Sequence, residues 1–349
     1  MLEIKEIIMK HIFVLLVGLM ITANSAMAEY RLVVPSPKGT GTSIWADVVA
    51  LELEKYLGEK VIVENIKGGK GNVGLETFNS KYKDNPKVIL LAHGGNANAW
   101  LIENVKWSFK DWEPILIQPY NITTTIASDY DWQNDVLNLA DCSGCVPETL
   151  GWTLLKGWNN INFVRKMSAG DAKQAWLRGD FTYIREPASR HIKNTAPMVE
   201  DGEAIRLFNH GMFTPENGFI QDYNWPDTPT VVDLYKKTFN KEPSGDIYEA
   251  YILSAVWRDG LQKGLFMHPG ANTNEVVQAF ENMMANKESR EYLISKLGDY
   301  PMYFGKESNI IMESLYSYVT KERLKLLVNF AKDKMEWSTA EYVDEKTID

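Results

Sequence analysis

Cysteine is scarce in this chain. Its 349 residues include two, Cys142 and Cys145, in a single "CSGC" stretch, alongside five histidines. Two thiols cannot furnish the four ligands of a structural zinc site, and no histidine lies close to them in sequence, so no metal is expected. In an oxidising compartment the pair can close into a disulfide; free thiols remain the alternative. The pattern of a thioredoxin-like fold is missing around them, which argues against redox catalysis. Positive charge is also in deficit, 37 Lys and Arg against 46 Asp and Glu for a net charge of −9. With no basic cluster to offset it, nucleic acid and anionic membrane surfaces are disfavoured as partners. Long hydrophobic runs are absent beyond Ile12 to Ile21, which is too short to span a bilayer comfortably. That run ends in Ala26-Met27-Ala28 and has Lys10 on its positive flank, so residues 1–28 read as a signal peptide cleaved after Ala28. Glu3 and Glu6 fit such a leader badly, which points to Met9 as the start. An uncut anchor is the alternative. The expectation is an exported, periplasmic product.

Several chemical signatures are missing too. There is no Walker A pattern, no H-E-x-x-H and no G-x-S-x-G. "GKGNVG", Gly69 to Gly74, matches G-x-G-x-x-G, but it follows the second strand and lacks the acidic residue about 20 positions on, so a dinucleotide site is rejected. His93, His191, His210 and His268 are scattered and read as structural. No triad or carboxylate pair emerges, so neither an enzyme nor a cofactor is expected.

A hydrophobic content of 45% with 24% charged residues reads as globular. The length suits one large domain or two ordinary ones. The chain then shows a repeated habit. A strand, Arg31 to Val34, breaks into the Pro/Gly loop "PSPKGTGTS" and opens into a helix from about Ser43 to Leu57, with Thr42 or Ser43 as N-cap and Gly58 past its end. A strand at Lys60 to Asn65, the loop "KGGKGNVG", a helix from about Val73 and a strand at Val88 to Leu91 ending in "AHGGNAN" follow. This order implies a parallel sheet with right-handed crossovers. Asn121 to Ala127 reads as an extended exit from the first lobe. Strands at Ile161 to Arg165 and Phe181 to Ile184, with helices between, then build a second α/β lobe. Segment 210–245 resists assignment, and the chain is helical from Asn274 onward.

Ligands of open parallel sheets bind at the carboxyl ends of strands, beside helix N-termini. Gly39 and Gly41 let the backbone approach a ligand, Thr40, Thr42 and Ser43 offer hydroxyls, and the helix dipole favours an anion. Together they suit a carboxylate; an ordinary strand–helix turn is the alternative. Trp45 and Trp100 can stack on an aromatic ligand or simply pack the core, and packing is the expectation.

Residues 30–80, "YRLVVPSPKGTGTSIWADVVALELEKYLGEKVIVENIKGGKGNVGLETF" and beyond, resemble the start of the solute receptors of tripartite tricarboxylate transporters, the Bug-type periplasmic binding proteins. "FKDWEPI", "DTPTVVDL" and "GLFMHPGANTNEVVQAFENMM" resemble later segments of that family, with an apparent insertion between Asp233 and Leu265. The resemblance implies an α/β, two-lobed Venus-flytrap fold of type II, with lobe one at 30–121 plus 266–349 and lobe two at 122–265. It implies a receptor that captures a small organic carboxylate and hands it to integral-membrane permease subunits, working as a monomer. A sensor feeding a membrane signalling protein, or a periplasmic enzyme on this fold, are the rivals. The ligand-binding set is then Ser36, Lys38, Gly39, Thr40, Gly41, Thr42 and Ser43 in the first loop, and Gly95 and Asn96 after the third strand. The second lobe adds Ser143, Gly144 and Cys145 in "CSGC", Ser168, Gly170 and Asp171 in the following loop, and Arg185 as a bidentate carboxylate clamp. Ser43 stands where the family has Asp, which predicts a ligand without an ammonium group there. Lys38 replaces a proline at the cleft rim. For Arg185 the alternative is a surface pair with Glu186.

Overall fold

The computed structural model describes residues 29–140, 145–164, 169–337, 339 and 346. The first lobe opens with strand β1 (Glu29–Val34), helix α1 (Gly41–Leu57), β2 (Lys60–Asn65), α2 (Asn72–Lys81), β3 (Val88–His93) and α3 (Gly94–Ile102), then β4 (Glu113–Gln118). Strands β1, β2 and β3 pair in parallel, as the strand–helix alternation requires. The sheet is completed from far along the chain by β12 (Lys263–Met267) and β13 (Tyr303–Phe304), in the order β13-β4-β12-β3-β1-β2. Strand β12 is antiparallel to both β3 and β4 and lies wholly in this sheet. It begins three residues before the expected lobe boundary at 266.

Alternation along the strands divides the core. Tyr30, Leu32 and Val34, with Ile89, Leu91, Leu265 and Met267, face one side, where α1, α10 (Thr273–Ala285) and α11 (Lys287–Leu297) cover them. Val33, Val88, Leu90 and Phe266 face the other, and that cluster runs on through Trp100 and Trp257 to Trp152 and Phe208 in the second lobe. Trp45 and Trp100 are both core: the Trp45 indole donates to Gln118 Oε1 at 2.8 Å, and Trp100 stacks on Trp257 with ring centres 4.7 Å apart.

The second lobe holds β5 (Ile122–Ala127), β6 (Leu137–Ala140), α4 (Val146–Lys156), β7 (Ile161–Val164), α5 (Ala169–Leu177), β8 (Tyr183–Pro187), α6 (Ala188–Asn194), α7 (Ala196–Glu200) and β9 (Ala204–Phe208). Its main sheet, β8-β5-β9, is antiparallel, and the only parallel pair among its described strands is β6–β7. The parallel-sheet rule therefore locates the ligand edge in the first lobe alone. The segment that resisted assignment forms the hairpin β10 (Met212–Thr214) and β11 (Gly218–Ile220), then α8 (Val231–Phe239) capped reciprocally by Thr230 and Asp233. Helix α9 (Asp246–Gly260) is buried along its last three turns and packs on α3, α4 and α13 (Lys321–Met335), joining the two halves. Between α11 and α13, α12 (Lys306–Ser317) completes the helices.

Two chain crossings link the lobes, β4 to β5 through Pro119–Asn121 and α9 to β12 through Leu261–Gln262. They are hooked together where the Tyr120 amide donates to the Asp259 carbonyl at 3.1 Å. Buried Asp222 ties a third segment to them, accepting from Asn121 Nδ2 and, at 2.9 Å, from the Tyr300 hydroxyl.

Candidate functional site

Helix α1 begins at Gly41, earlier than the Ser43 expected from periodicity, because Thr40 rather than Thr42 or Ser43 is its cap. Thr40 Oγ1 accepts from the Ser43 amide at 3.3 Å and shares a 2.7 Å hydrogen bond with Ser36 Oγ. Gly39, at φ +83°, makes the turn that presents Thr40 to the helix end. Gly41, Thr42 and Ser43 are buried in the first turn, and Ser43 Oγ points to Asn65 Oδ1 at 3.5 Å. Lys38 is exposed at the rim, in keeping with a solvated lysine.

The N-terminus of α3 is closed by its own residues. His93 Nδ1 accepts from the Gly95 amide at 3.0 Å, and Asn96 Oδ1 accepts from the His93 amide at 3.1 Å. His93 is thus structural as expected, but in the unusual role of a cap. The Asn96 amide is turned under the second glycine loop: a Cβ on Gly71 would lie 2.6 Å from Asn96 Nδ2, and only glycine accepts the φ of +103° there.

On the second lobe, Cys145 precedes α4 and is buried and disulfide-bonded; the chain's other cysteine, Cys142, lies outside the described residues, as do Ser143, Gly144 and Ser168. Gly170 lies within α5, and Asp171 is exposed in its first turn. Arg185 Nε lies 2.9 Å from Cys145 Sγ, and its Nη1 is 3.9 Å from Glu148 Oε1. Its side chain is only 15% exposed, so it is no surface arginine. Nor does it pair with Glu186. Strand alternation sends Glu186 to the other face, where it accepts from Asn194 and Thr195 and lies 3.8 Å from Arg190.

The lobes meet around these groups. A Cβ on Gly41 would touch Arg190 Cδ at 3.3 Å and Pro187 Cγ at 3.4 Å, which sets the mouth of α1 against β8 and α6. Between the N-termini of α3 and α4 lies a buried charge cluster that sequence reading missed. Glu148 Oε1 accepts from Arg258 Nη1 at 2.6 Å and stands 3.5 Å from His210 Nε2, and Arg258 Nη2 donates to Asp259 Oδ2 at 3.1 Å. Burial alone would raise the Glu148 carboxyl, but Arg258 and Arg185 outweigh it and hold the carboxyl well below its usual range. Asp259 is pushed up to about 7 by burial and by Glu148, against the pull of Arg258. Burial, with Arg258 and Arg185 beside it, lowers His210 to about 4, so it is neutral at pH 7.

Across the end of the first sheet, His93, Lys263 and Gln118 are direct cross-strand neighbours. Lys263 is 2% exposed, and its ammonium donates to the Gln262 carbonyl at 2.9 Å and to Gln262 Oε1 at 3.1 Å, above the ring of Tyr120. Burial and Arg258 bring it down to about 7. Burial, then Lys263 and Arg185, lower His93 to about 3, which places this imidazole within the field of both cations. The signal for these residues was present in "WRDGLQKGLFM": four charged or amide groups inside an otherwise apolar run, where burial forces each polar group to find a purpose.

The first turn of α4 and the cations Arg185 and Lys263 therefore lie near the His93 imidazole where the lobes meet. Among the described residues no group of three or more His, Cys, Asp or Glu is placed to hold a metal ion.

The architecture is that of the two-lobed, type II periplasmic binding proteins. Three solved structures show the likeness. The periplasmic binding protein BugD aligns with a TM-score of 0.59 and 19% identity over 87% of this chain and 97% of its own. MatC (Rpa3494) from Rhodopseudomonas palustris with bound malate gives 0.56 and 16% over 86% and 99%. Rpa4515 from R. palustris with adipate gives 0.60 and 14% over 88% and 97%. No family model matches the sequence. No curated protein matches it either.

Proposed function

We propose that this protein is a periplasmic receptor that captures a small organic carboxylate and delivers it to the membrane subunits of a tripartite tricarboxylate-type transporter. The observation that carries the reading is the placement of Arg185 from the second lobe near His93, which sits beside Lys263 in the first, with the first turn of α4 next to Arg185. The likeness to receptors solved with malate and adipate supports it. The net charge of −9 gives no long-range attraction for an anion, so capture rests on these local charges and dipoles. The lobes are close to 30–121 plus 266–349 and 122–265, with the second boundary moved back to Lys263 because β12 lies wholly in the first sheet. The receptor works as a monomer, holds no cofactor and returns its ligand unchanged. The loop at Ser36–Ser43 and the residue Cys145 at the start of α4 face the ligand, which carries no ammonium near Ser43.

The test is a thermal-shift screen of the mature chain from Glu29 against carboxylates, amino acids and sugars. A ligand at about 100 times its dissociation constant adds roughly 2.7 kcal/mol to the folded state. A rise confined to carboxylates is expected. A folded, ligand-free protein that answers to amino acids or sugars and to no carboxylate rejects the reading.

A further inference from the structure

Lys263 is a lysine buried without a carboxylate. Its two hydrogen bonds both go to Gln262, and the face of Tyr120 lies 5.0 Å below the ammonium. Among the described residues no Asp or Glu oxygen lies within ion-pair distance of it. An ammonium held this way is costly as a cation unless an anion arrives. The groups around it are His93 on β3, Gln118 on β4, Tyr120 on the crossing, Arg258 and Asp259 at the end of α9, and Arg185 beyond His93 on β8. Asp259 is engaged by Arg258, and Glu148 by Arg258 with Arg185 beside it. His93, beside Lys263 in the strand register, is partly exposed as a residue, so the row reaches the surface at that strand end.

Resting on the carboxylate-receptor reading, we propose that Lys263 is a specificity-determining residue of the site: it receives a second carboxylate of the ligand, selecting dicarboxylates over monocarboxylates, while the first is met by Arg185 across His93. The strand register fixes Lys263 beside His93 on one lobe, and Arg185 comes from the other, so a ligand charged at both ends bridges the lobes. A monocarboxylate leaves the buried ammonium unmatched. Because Lys263 is near 7 without ligand, an arriving carboxylate draws a proton from the buffer onto its amine. Binding at pH 8 therefore takes up a proton.

The experiment is calorimetric titration of the mature protein with succinate, glutarate and adipate and with butyrate, valerate and caproate, in two buffers of different ionisation enthalpy at pH 8. Wild type, Lys263→Met and Lys263→Gln are compared, with folding of each checked by circular dichroism. The expected result is preference for one dicarboxylate over its chain-matched monocarboxylate, with net proton uptake. Both variants lose that preference by roughly 10- to 100-fold and lose the uptake. Wild type binding a dicarboxylate no more tightly than its chain-matched monocarboxylate overturns the proposal without any variant. Variants that keep the wild-type preference overturn it too and leave the receptor reading standing. A wild type that binds no carboxylate overturns both.

Discussion

Arg258 Nη1 stands 2.6 Å from Glu148 Oε1, and both side chains are almost wholly buried, so the end of α9 is pinned to the first turn of α4 by a buried ion pair within a larger charge cluster. Removing one partner strands the other. Arg258→Met leaves the Glu148 carboxylate in the core with Arg185 at 3.9 Å as its remaining cation. The expected loss is about 3–5 kcal/mol in urea unfolding, the range found for broken buried pairs. Glu148→Gln combined with Arg258→Met should cost less than the two single losses added together, because neither charge is then left behind. Additive losses would show that the two residues act independently.

Thr40 makes a second, more local claim. Its hydroxyl caps α1 by accepting from the Ser43 amide and also meets Ser36 Oγ at 2.7 Å. Thr40→Ala should cost about 1 kcal/mol by loss of the cap, and Thr40→Ser should recover most of it. Thermal unfolding of the two variants decides the point. If alanine and serine behave alike, the capping hydroxyl contributes nothing.

Lys263 and Asp259 impose opposite pH dependences on stability. Lys263 falls from its usual 10.5 to about 7 on folding. Between those values the unfolded chain binds more protons, so the contribution of Lys263 improves as pH rises and is lost as pH falls through about 7. Asp259 rises from 3.8 to about 7, so its contribution is present at low pH and lost as pH rises toward 7. In ligand-free protein, Lys263→Met should therefore be more stable than wild type at pH 7, with the advantage shrinking steadily toward pH 10. Asp259→Asn should gain on wild type between pH 4 and 7. Melting temperatures from pH 4 to 10 check both slopes, and a Lys263→Met advantage independent of pH would contradict the burial argument.

Local pattern announced much of this molecule. The β1–α1–β2–α2–β3 order was legible because strand and helix periods alternate cleanly, and the parallel pairing followed from it. The antiparallel sheet of the second lobe was not, since its strands β5, β8 and β9 come from distant segments and pair in no sequential order. Arg185 was expected just past a strand ending at Ile184, whereas it lies in the middle of β8, because that strand runs on to Pro187. Glu148, Arg258, Asp259 and Lys263 were not, because charged residues in a helix or strand normally read as a solvated face. Only the fold puts Glu148 and Arg258, 110 residues apart, in contact. Asn96 shows the reverse: the loop was rightly noticed, but which way its amide turns depends on the neighbouring loop at Gly71.

Two glycines of the first lobe separate these kinds of constraint. A Cβ on Gly94 would lie 2.2 Å from the Arg258 carbonyl oxygen and 2.9 Å from Arg258 Cγ, so α3 and α9 are packed backbone to backbone at the edge of the charge cluster. Gly39 has φ +83° and nothing within 4 Å of its would-be Cβ, so its constraint is conformational alone. Gly39→Ala should cost about 1–2 kcal/mol, the strain of a left-handed alanine. Gly94→Ala has no flexible side chain to displace, because the clash is with a carbonyl that belongs to the helix holding Arg258. The expected cost is at least the roughly 1–3 kcal/mol of an overpacked core. It should come with a disturbed Arg258–Glu148 pair, so that adding Arg258→Met to Gly94→Ala costs less than Arg258→Met costs alone. Urea unfolding of the four proteins measures both terms, and a Gly94→Ala variant as stable as Gly39→Ala would mean the α3–α9 contact is looser than these distances.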